Sequence, residues 1–198
     1  MEFWERNFVE KGEMWGGIPA HSAQIAKDFF LTKNIQEILI PGFGYGRNGH
    51  VFLENGIGIT GIELSNTAIE LARKHFGPQT IIYHGSIVDM PFDTKKYDGI
   101  FCYGLIHLLG AEERAKFIQD CYAQLSDNGY MIFTAVSKQA SIYGQGAAIG
   151  TDRFEMFGEI KMFYYDLESI QTEFEKYGLI KVREVEENYP FYFIICKK

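Results

Sequence analysis

Apolar residues recur with two different periods along the chain from residue 37 onwards. Short apolar runs predict strands at 37–41, 57–62, 80–84, 99–103 and 130–136. Between them, apolar positions three or four residues apart are typical of helices that pack on one face of a sheet, and they predict helices near 47–55, 66–75 and 111–125. This alternation indicates an α/β protein whose parallel strands are joined by helical crossovers.

The two ends of the chain depart from this alternation. A helix predicted over 166–177 is followed by two strand-like stretches, 180–187 and 190–196, which only Asn188 and Tyr189 separate. Two residues cannot form a crossover, so these strands must be antiparallel neighbours. At the other end, a short aromatic segment and a helix from about 21 to 31 are expected to form an N-terminal cap.

A loop with glycine at every second position follows the first strand. Gly42, Gly44 and Gly46 accept positive φ and carry no Cβ, so a ligand can approach their backbone closely. The N–H groups of the following helix attract negative charge to the same place. Glu63 ends the second strand, where a carboxylate can accept hydrogen bonds from both hydroxyls of a ribose. These features predict a site for a nucleoside-containing cofactor.

The glycine loop alone fits two classes of cofactor. Gly44, Gly46 and Gly49 satisfy the G-x-G-x-x-G pattern of dinucleotide enzymes, whereas Gly42, Gly44 and Gly46 satisfy the G-x-G-x-G pattern of S-adenosylmethionine enzymes. A tight turn without any ligand is a third interpretation of the same residues. Later segments of the chain are needed to choose among the three.

Composition excludes several other functions. The net charge of −7 gives no basic footprint for nucleic acid, and no Lys/Arg run suggests a membrane surface. No apolar run reaches membrane-spanning length, and the N-terminus is unlike a secretory signal. Cys102, Cys121 and Cys196 are widely spaced, which predicts buried free thiols and no metal site. We therefore expect a cytoplasmic protein that binds neither nucleic acid nor membrane.

Two further segments carry a resemblance to a known family. Residues 85–92 (GSIVDMPF) and 97–109 (YDGIFCYGLIHLL), together with the glycine loop and Glu63, resemble class I S-adenosylmethionine-dependent methyltransferases over about residues 35–198. The resemblance implies a Rossmann-like, seven-stranded, mostly parallel sheet in the order 3-2-1-4-5-7-6, with an antiparallel C-terminal strand and helices on both faces. It also implies a single domain with an N-terminal cap (1–34), a cofactor-binding half (35–136) and a substrate cover with a C-terminal hairpin (137–198).

A narrower similarity concerns the start of the domain. Pro41-Gly42-Phe43-Gly44, with Trp15-Gly16-Gly17-Ile18-Pro19 upstream, is similar to the thiopurine, halide/thiol and tellurite-resistance methyltransferases, which act on small and often soft nucleophiles. The chain departs from the class at Ile40 and Ser86, where many members carry a carboxylate, and at Phe43, where cysteine is common.

The resemblance assigns the cofactor, S-adenosyl-L-methionine, to a defined set of residues. The glycine loop would approach the methionine part and the ribose, Glu63 would bind the ribose diol, and Leu64 and Ile87 would enclose the adenine. Ser86 or Asp89 would orient the exocyclic amine. The predicted cofactor-binding residues are Gly42, Phe43, Gly44, Gly46, Glu63, Leu64, Ser86, Ile87, Asp89 and Tyr103.

Tyr103 and His107 follow the fourth strand, where ligands of open α/β sheets bind. They are the predicted catalytic residues, with His107 as a general base; the alternative is that His107 only packs between Leu105 and Leu109. Methyl transfer can also proceed by positioning alone. Trp15, His107 and Tyr143 are the predicted acceptor contacts, and the aromatic segment 137–165 is predicted to cover the acceptor or to form a dimer interface.

The predicted function is therefore S-adenosylmethionine-dependent methyl transfer to the S, O or N atom of a small molecule, by a monomer or homodimer. Two alternatives remain: a binding protein for S-adenosylmethionine or S-adenosylhomocysteine without catalysis, and a small NAD(P)-dependent oxidoreductase.

Overall fold

The computed structural model describes residues 3–156 and 158–198. Met1, Glu2 and Phe157, an aromatic residue of the predicted substrate cover, lie outside this part of the chain. The described helices are α1 (Phe3–Lys11), α2 (His21–Thr32), α3 (His50–Leu53), α4 (Asn66–Phe76), α5 (Ala111–Gln124) and α6 (Leu167–Phe174). The strands are β1 (Glu37–Pro41), β2 (Gly58–Glu63), β3 (Ile81–His84), β4 (Tyr97–Cys102), β5 (Leu125–Val136), β6 (Ala147–Gly150), β7 (Arg153–Met156), β8 (Ile160–Phe163), β9 (Leu179–Glu186) and β10 (Pro190–Lys197).

The main sheet has the predicted topology. Within the described residues its seven strands lie in the order β3-β2-β1-β4-β5-β10-β9. Neighbours from β3 to β5 are parallel, and β10 is antiparallel to both β5 and β9. The predicted order 3-2-1-4-5-7-6, with its antiparallel C-terminal strand, is therefore confirmed, because β9 and β10 are the sixth and seventh strands of this sheet.

Two core layers cover the two faces of the main sheet. Ile38 and Ile40 of β1 belong to one layer and Leu39 to the other, because side chains alternate along a strand. α2 packs on the first layer through Ala23, Ala26 and Phe30, and the second layer contains Phe117, Ile118 and Cys121 of α5. The loops at the carboxyl ends of the parallel strands thus project from one edge of a rigid core.

Three elements differ from their predicted bounds. α3 spans only His50–Leu53 rather than 47–55, since Gly56 turns the chain with φ +79°. β5 begins at Leu125 rather than at 130, because Leu125 already pairs with Tyr97 of β4 before the register between the two strands shifts. The short aromatic N-terminal segment is the helix α1.

The segment 137–165 contains a sheet of its own. β6, β7 and β8 form an antiparallel three-stranded sheet separate from the main one. Met156, Met162 and Tyr164 of this segment are buried in the first core layer beside Val136 and Phe191. This long connection is accordingly packed onto the carboxyl-end side of the fold rather than extended from it.

Candidate active site

The glycine loop after β1 has the backbone that its sequence predicts. Gly42, Gly44 and Gly46 have φ values of +69°, +58° and +85°, which L side chains rarely adopt. Gly42 is exposed, and a Cβ there would lie 2.9 Å from the Leu105 side chain. A Cβ on Gly46 would lie 2.2 Å from the Phe76 ring. Packing thus requires glycine at position 46, whereas the backbone of Gly42 is exposed to solvent.

Glu63 at the end of β2 is joined to this loop by hydrogen bonds. Its Oε2 accepts from the Gly44 N–H at 2.7 Å and its Oε1 accepts from the Ser65 N–H at 2.8 Å. Burial raises the pKa of Glu63, against the lowering effect of these backbone donors. A carboxylate has about four acceptor positions, so each oxygen can still accept from a ligand hydroxyl.

Phe43 contributes differently from the other predicted loop residues. Its side chain is buried beneath the loop, with its ring centroid 5.5 Å from that of Phe76 and its atoms against Gly49 and Gly61. Its N–H donates to the Ile62 carbonyl at 2.9 Å. The ring therefore holds β1, β2 and α4 together, and it supports the loop from below instead of facing a ligand.

The predicted adenine-binding residues lie along the carboxyl ends of β2 and β3. Ser86 caps a short 3₁₀ turn, Ile87–Asp89, by accepting from the Val88 N–H at 3.4 Å. Ile87 is buried in the second core layer, whereas Asp89 is exposed and Leu64 partly buried. Ser86 is thus engaged by the backbone, and Asp89 has the more accessible polar group.

The N-terminal helix α1 lies over the glycine loop. Phe8 is buried, and its ring approaches the Cβ position of Gly44 within 4.0 Å. Glu5 accepts hydrogen bonds from the hydroxyls of Ser65 (2.5 Å) and Thr67 (2.7 Å) at the start of α4. The predicted acceptor residue Trp15 stacks on the Tyr45 ring, with centroids 6.1 Å apart and planes at 14°. The cap is thus fixed on the cofactor side of the loop.

Tyr103, at the end of β4, is influenced by side chains from three other segments. Its ring is parallel to that of Phe191, with centroids 6.4 Å apart and planes at 2°. The Arg47 guanidinium lies 5.7 Å from the Tyr103 ring centroid. Burial raises the pKa of the Tyr103 phenol, the charge of Glu187 raises it further, and Arg47 lowers it. A cation and an anion therefore both act on the phenol group.

His107 lies behind this cluster rather than open to it. Its ring is 5% exposed and packs edge-on against Phe191, with centroids 5.7 Å apart. Its Nδ1 accepts from the Val136 N–H at 3.4 Å. Burial lowers the pKa of His107 to about 3. A neutral, enclosed imidazole with so low a pKa is a poor proton acceptor at neutral pH, so the geometry favours the packing interpretation.

Tyr143 is held within the 137–165 segment. Its hydroxyl donates to Asp152 Oδ1 at 2.6 Å, and its ring lies 5.4 Å from that of Tyr164. The same segment contacts α1, because Arg6 donates to Glu159 in the β7–β8 turn at 2.5 Å. The N-terminal cap and the small sheet are thereby joined across the carboxyl-end side of the fold.

A groove beside α6 is a separate feature. Its lining includes Lys138, Asp152 and Asp166, and Lys138 bridges the two carboxylates at 2.7 and 2.5 Å. This ion pairing lowers the pKa of Asp166 to about 2. The groove contains none of the glycine-loop residues, and the charges of Lys138, Asp152 and Asp166 are already paired with one another, so we interpret it as structural.

Three side chains near the site were not identified from the sequence: Glu5, Arg47 and Glu187. Glu5 and Glu187 meet partners 60 or more residues away along the chain, namely Ser65, Thr67 and Ser22. No local pattern encodes such contacts. Arg47 directly follows Gly46, the last glycine of the loop. That position beside the motif could have identified it as a residue near the site.

The described residues contain neither a helix suited to a membrane nor a cluster suited to a metal ion. No helix in residues 3–156 and 158–198 combines the length and apolar character that crossing a membrane requires. The same residues contain no group of three or more His, Cys, Asp or Glu side chains arranged to hold a metal ion.

The fold and the site together define a class of protein. Residues 39–133 match a family model described as a methyltransferase domain. The predicted resemblance to class I S-adenosylmethionine-dependent methyltransferases is confirmed by this match and by the fold.

One sequence relative is the ubiquinone biosynthesis O-methyltransferase of Coxiella burnetii. It is 22% identical over 116 residues, which are 57% of this chain and 49% of that protein. The chain thus spans about half the length of the curated relatives it matches.

Two solved structures share the fold over nearly the whole chain. The 1,6-didemethyltoxoflavin-N1-methyltransferase of Burkholderia thailandensis, with bound S-adenosylhomocysteine, has a TM-score of 0.76 at 13% identity, over 98% of this chain and 84% of that one. TehB from Haemophilus influenzae has a TM-score of 0.66 at 15% identity, over 98% of this chain and 67% of that one. At these identities the likeness concerns the fold.

Proposed function

We propose that this protein transfers the methyl group of S-adenosyl-L-methionine to an O, N or S atom of a small-molecule acceptor. The observation that carries the proposal is the link between Glu63 and the glycine loop at the carboxyl edge of the sheet. Glu63 receives the Gly44 N–H at 2.7 Å, two residues after the exposed backbone of Gly42. The Glu63 carboxylate, which can bind ribose hydroxyls, therefore lies beside the exposed backbone of the glycine loop, as the binding of a nucleoside cofactor requires.

The residues present fit this cofactor. Glu63 keeps acceptor positions for the ribose diol, and Gly42 offers backbone to the methionine part. Leu64 and Ile87 flank the expected adenine position, where Asp89 is exposed for its amine. When bound, the sulfonium of the cofactor supplies an activated methyl group and a good leaving group.

The protein's own contribution to the reaction is positioning. Tyr103 and Phe191 form an aromatic wall at the end of β4 and the start of β10. α1 and the 137–165 segment, joined through Arg6 and Glu159, exclude water from the reacting atoms. Holding the acceptor atom in line with the methyl carbon supplies much of the rate of such a displacement. Proton removal by His107 is not needed for an acceptor that is already ionised, or for an amine, which attacks in its neutral form and releases its proton to solvent after the transfer.

The names of the relatives support a small acceptor. One relative is a ubiquinone biosynthesis O-methyltransferase, and a structural neighbour is a toxoflavin-precursor N1-methyltransferase. The net charge of −7 provides no attraction for nucleic acid. We infer an acceptor with an apolar, planar body in a closed pocket, handled by a monomer or a homodimer.

A second candidate function is binding of the cofactor without catalysis. Ile40 is 3% exposed and carries no carboxylate where many class I enzymes have one, and His107 is enclosed. This candidate predicts S-adenosylhomocysteine binding with no methyl transfer to any acceptor. The alternative as an NAD(P)-dependent oxidoreductase has no comparable support, since the family match is to a methyltransferase domain.

Calorimetry with S-adenosylhomocysteine and with NADH tests the cofactor assignment. We expect S-adenosylhomocysteine to bind and NADH not to bind. Glu63→Gln should weaken S-adenosylhomocysteine about tenfold or more, because a charge-assisted hydrogen bond is worth about 1.5–3 kcal/mol. The matched control is Glu54→Gln, which changes an exposed carboxylate outside the site. Tight NADH binding, or equal affinity in Glu63→Gln and wild type, would refute the assignment.

An acceptor screen then tests catalysis. Thiols, halides, amines and phenols are offered with methyl-labelled S-adenosylmethionine, and labelled products are counted. Methylation of at least one class is expected, and binding without any turnover would favour the non-catalytic candidate.

A further inference from the structure

Arg47 and Glu187 are two oppositely charged side chains that share a neighbour but do not pair with each other. The Arg47 guanidinium lies 5.7 Å from the Tyr103 ring centroid, and the charge of Glu187, in the turn before β10, raises the pKa of the Tyr103 phenol. Among the described residues, Arg47 and Glu187 form no ion pair, whereas Arg6, Lys95, Arg114, Lys116 and Lys138 each contact a carboxylate. Arg47 is partly buried, so water compensates its charge less well than it would at a fully exposed position.

Arg47 is held in place by neutral groups only. Its Nη1 donates to the Trp15 carbonyl at 3.4 Å, and its guanidinium lies over the Tyr103 ring, 5.7 Å from the centroid. These contacts orient the Arg47 guanidinium but bring no negative charge against it. A guanidinium removed from bulk water gains most from a carboxylate or another planar anion that it can bind through two N–H groups.

Glu187 is held just as firmly from the opposite side. It lies in the β9–β10 turn, and its Oε1 accepts both the N–H (2.7 Å) and the hydroxyl (2.6 Å) of Ser22, near the N-terminus of α2. Two donors orient the carboxylate without neutralising it. A ligand N–H or O–H is the natural complement of such a group.

The site runs along the carboxyl edge of the sheet in a definite order. Glu63 lies at β2, Gly42 at β1 and Tyr103 at β4, and Phe191 and Glu187 lie at β10 and its preceding turn. Glu63, which would bind the ribose of the cofactor, lies at the β2 end of this edge. The Tyr103–Phe191 wall and Glu187 lie towards the other end, where the acceptor would bind. Arg47 joins this end through Tyr103.

We propose that Arg47 and Glu187 are the specificity-determining pair of the acceptor pocket. The acceptor is then a planar molecule that presents a carboxylate or ionised hydroxyl to Arg47 and an N–H or O–H donor to Glu187, with its ring against Tyr103 and Phe191. Hydroxy- and amino-substituted aromatic or heteroaromatic acids have this chemistry. This proposal rests on the proposed function, and it narrows the acceptor from an apolar molecule to an apolar body with two polar groups.

Binding to protein saturated with S-adenosylhomocysteine tests the proposal without knowledge of the natural acceptor. The probes are the three isomers of hydroxybenzoate, their methyl esters, which lack the anion, and the methoxybenzoates, which lack the donor. We expect at least one hydroxybenzoate to bind about tenfold more tightly than its ester and than its methoxy analogue. Arg47→Gln should abolish the preference for the acid over its methyl ester. Glu187→Leu should abolish the preference for the hydroxy compound over its methoxy analogue.

The controls are Arg73→Gln and Glu186→Gln, which change exposed charges outside the pocket and should keep both differences. S-adenosylhomocysteine affinity should be unchanged in all four variants, which also reports that they fold. If Arg47→Gln weakens S-adenosylhomocysteine but not 5′-methylthioadenosine, which lacks the amino-acid part, the arginine binds the cofactor's carboxylate and the proposal is wrong. Acids that bind no better than their esters also refute it, whereas failure of S-adenosylhomocysteine to bind wild type would refute the proposed function itself.

Discussion

Glu5 Oε1 accepts a hydrogen bond of 2.7 Å from the Thr67 hydroxyl, although the two residues are 62 positions apart in the chain. The same carboxylate bonds the Ser65 hydroxyl, and Ser65 in turn caps α4 by accepting from the Ala68 N–H at 3.0 Å. The N-terminal helix is therefore attached at the residue that begins α4, two positions after Glu63. α1, which covers the glycine loop, is thus anchored close in the chain to Glu63, the predicted ribose-binding residue.

Glu5→Ala should release α1 from the rest of the fold. We expect faster limited proteolysis within residues 12–17, and weaker S-adenosylhomocysteine binding, because the cover over Gly44 is lost. Glu10→Ala changes an exposed carboxylate of the same helix and serves as the control. Equal cleavage rates in the two variants would contradict the anchoring role of Glu5.

Attachment of α1 should also depend on pH. The hydrogen bonds from Ser65 and Thr67 lower the pKa of Glu5 below 4.5, the ordinary value of a glutamate. Its stabilisation is therefore complete above 4.5 and is lost as the pH falls through the lower pKa of the folded state. Proteolysis of wild type at decreasing pH, with an acid-tolerant protease, should approach that of Glu5→Ala only below this range.

Cofactor affinity should respond to pH in a different window. Burial raises the pKa of Glu63 above 4.5, and only the ionised carboxylate accepts from both ribose hydroxyls. S-adenosylhomocysteine affinity in wild type should thus begin to fall at a pH above 4.5 as the solution is acidified. Calorimetry on Glu63→Gln should give weak binding without this pH dependence. An identical profile in both proteins would show that another group titrates.

His107→Ala should affect stability more than catalysis. Removing a buried ring beside Phe191 should lower the free energy of unfolding by about 1–3 kcal/mol, whereas the methyl-transfer rate at saturating substrate should change little. A loss of rate of a hundredfold or more, with S-adenosylhomocysteine affinity intact, would restore His107 as a general base.

The same variant gives a linkage test. Burial lowers the pKa of His107 from the ordinary histidine value of 6.5 to about 3, so the unfolded chain binds a proton between these values that the folded chain does not. Stability therefore declines as the pH falls below 6.5. Unfolding of His107→Ala, measured from pH 7 to pH 4.5, should show a shallower decline than wild type.

Two glycines with similar backbone provide a matched pair. Gly46 (φ +85°) has the Phe76 ring 2.2 Å from its Cβ position, whereas Gly56 (φ +79°) has nothing within 4 Å. Gly56→Ala should cost about 1–2 kcal/mol from backbone strain, and Gly46→Ala about 1–3 kcal/mol more from overpacking. Denaturant unfolding measures both, and equal losses would mean that Phe76 moves aside without cost.

The sequence predicts the parts of this fold that depend on local pattern. The strand periods predict the parallel strands and the two-residue link at 188–189 predicts the antiparallel C-terminal pair, whereas the order of the main sheet was implied by the family resemblance. β6 was not predicted because its four residues, Ala147–Gly150, are exposed and carry no apolar alternation. The helical nature of α1 was missed because its attachment through Glu5 and Phe8 is a tertiary contact.

The candidate site divides in the same way. Gly42, Gly44, Gly46 and Glu63 form a motif with fixed spacing, and the structure brings them together. Whether a ring faces the cleft or the core depends on packing, and the burial of Phe43 and His107 could not be inferred from their positions alone. Glu187 lies at the same edge of the sheet as Tyr103 only because β10 is inserted beside β5.

That insertion also fixes an order of assembly. β9 has a single neighbour in the sheet, β10, which follows it in the chain and pairs on its other side with β5. β9 therefore cannot join the sheet until β10 has docked, and the long-range β5–β10 pairing has a high loop-closure cost. The helix-linked half of the sheet can form first, and the acceptor end, with Glu187 and Phe191, is completed last. A nascent or partly refolded chain would bind a nucleoside before it could recognise an acceptor.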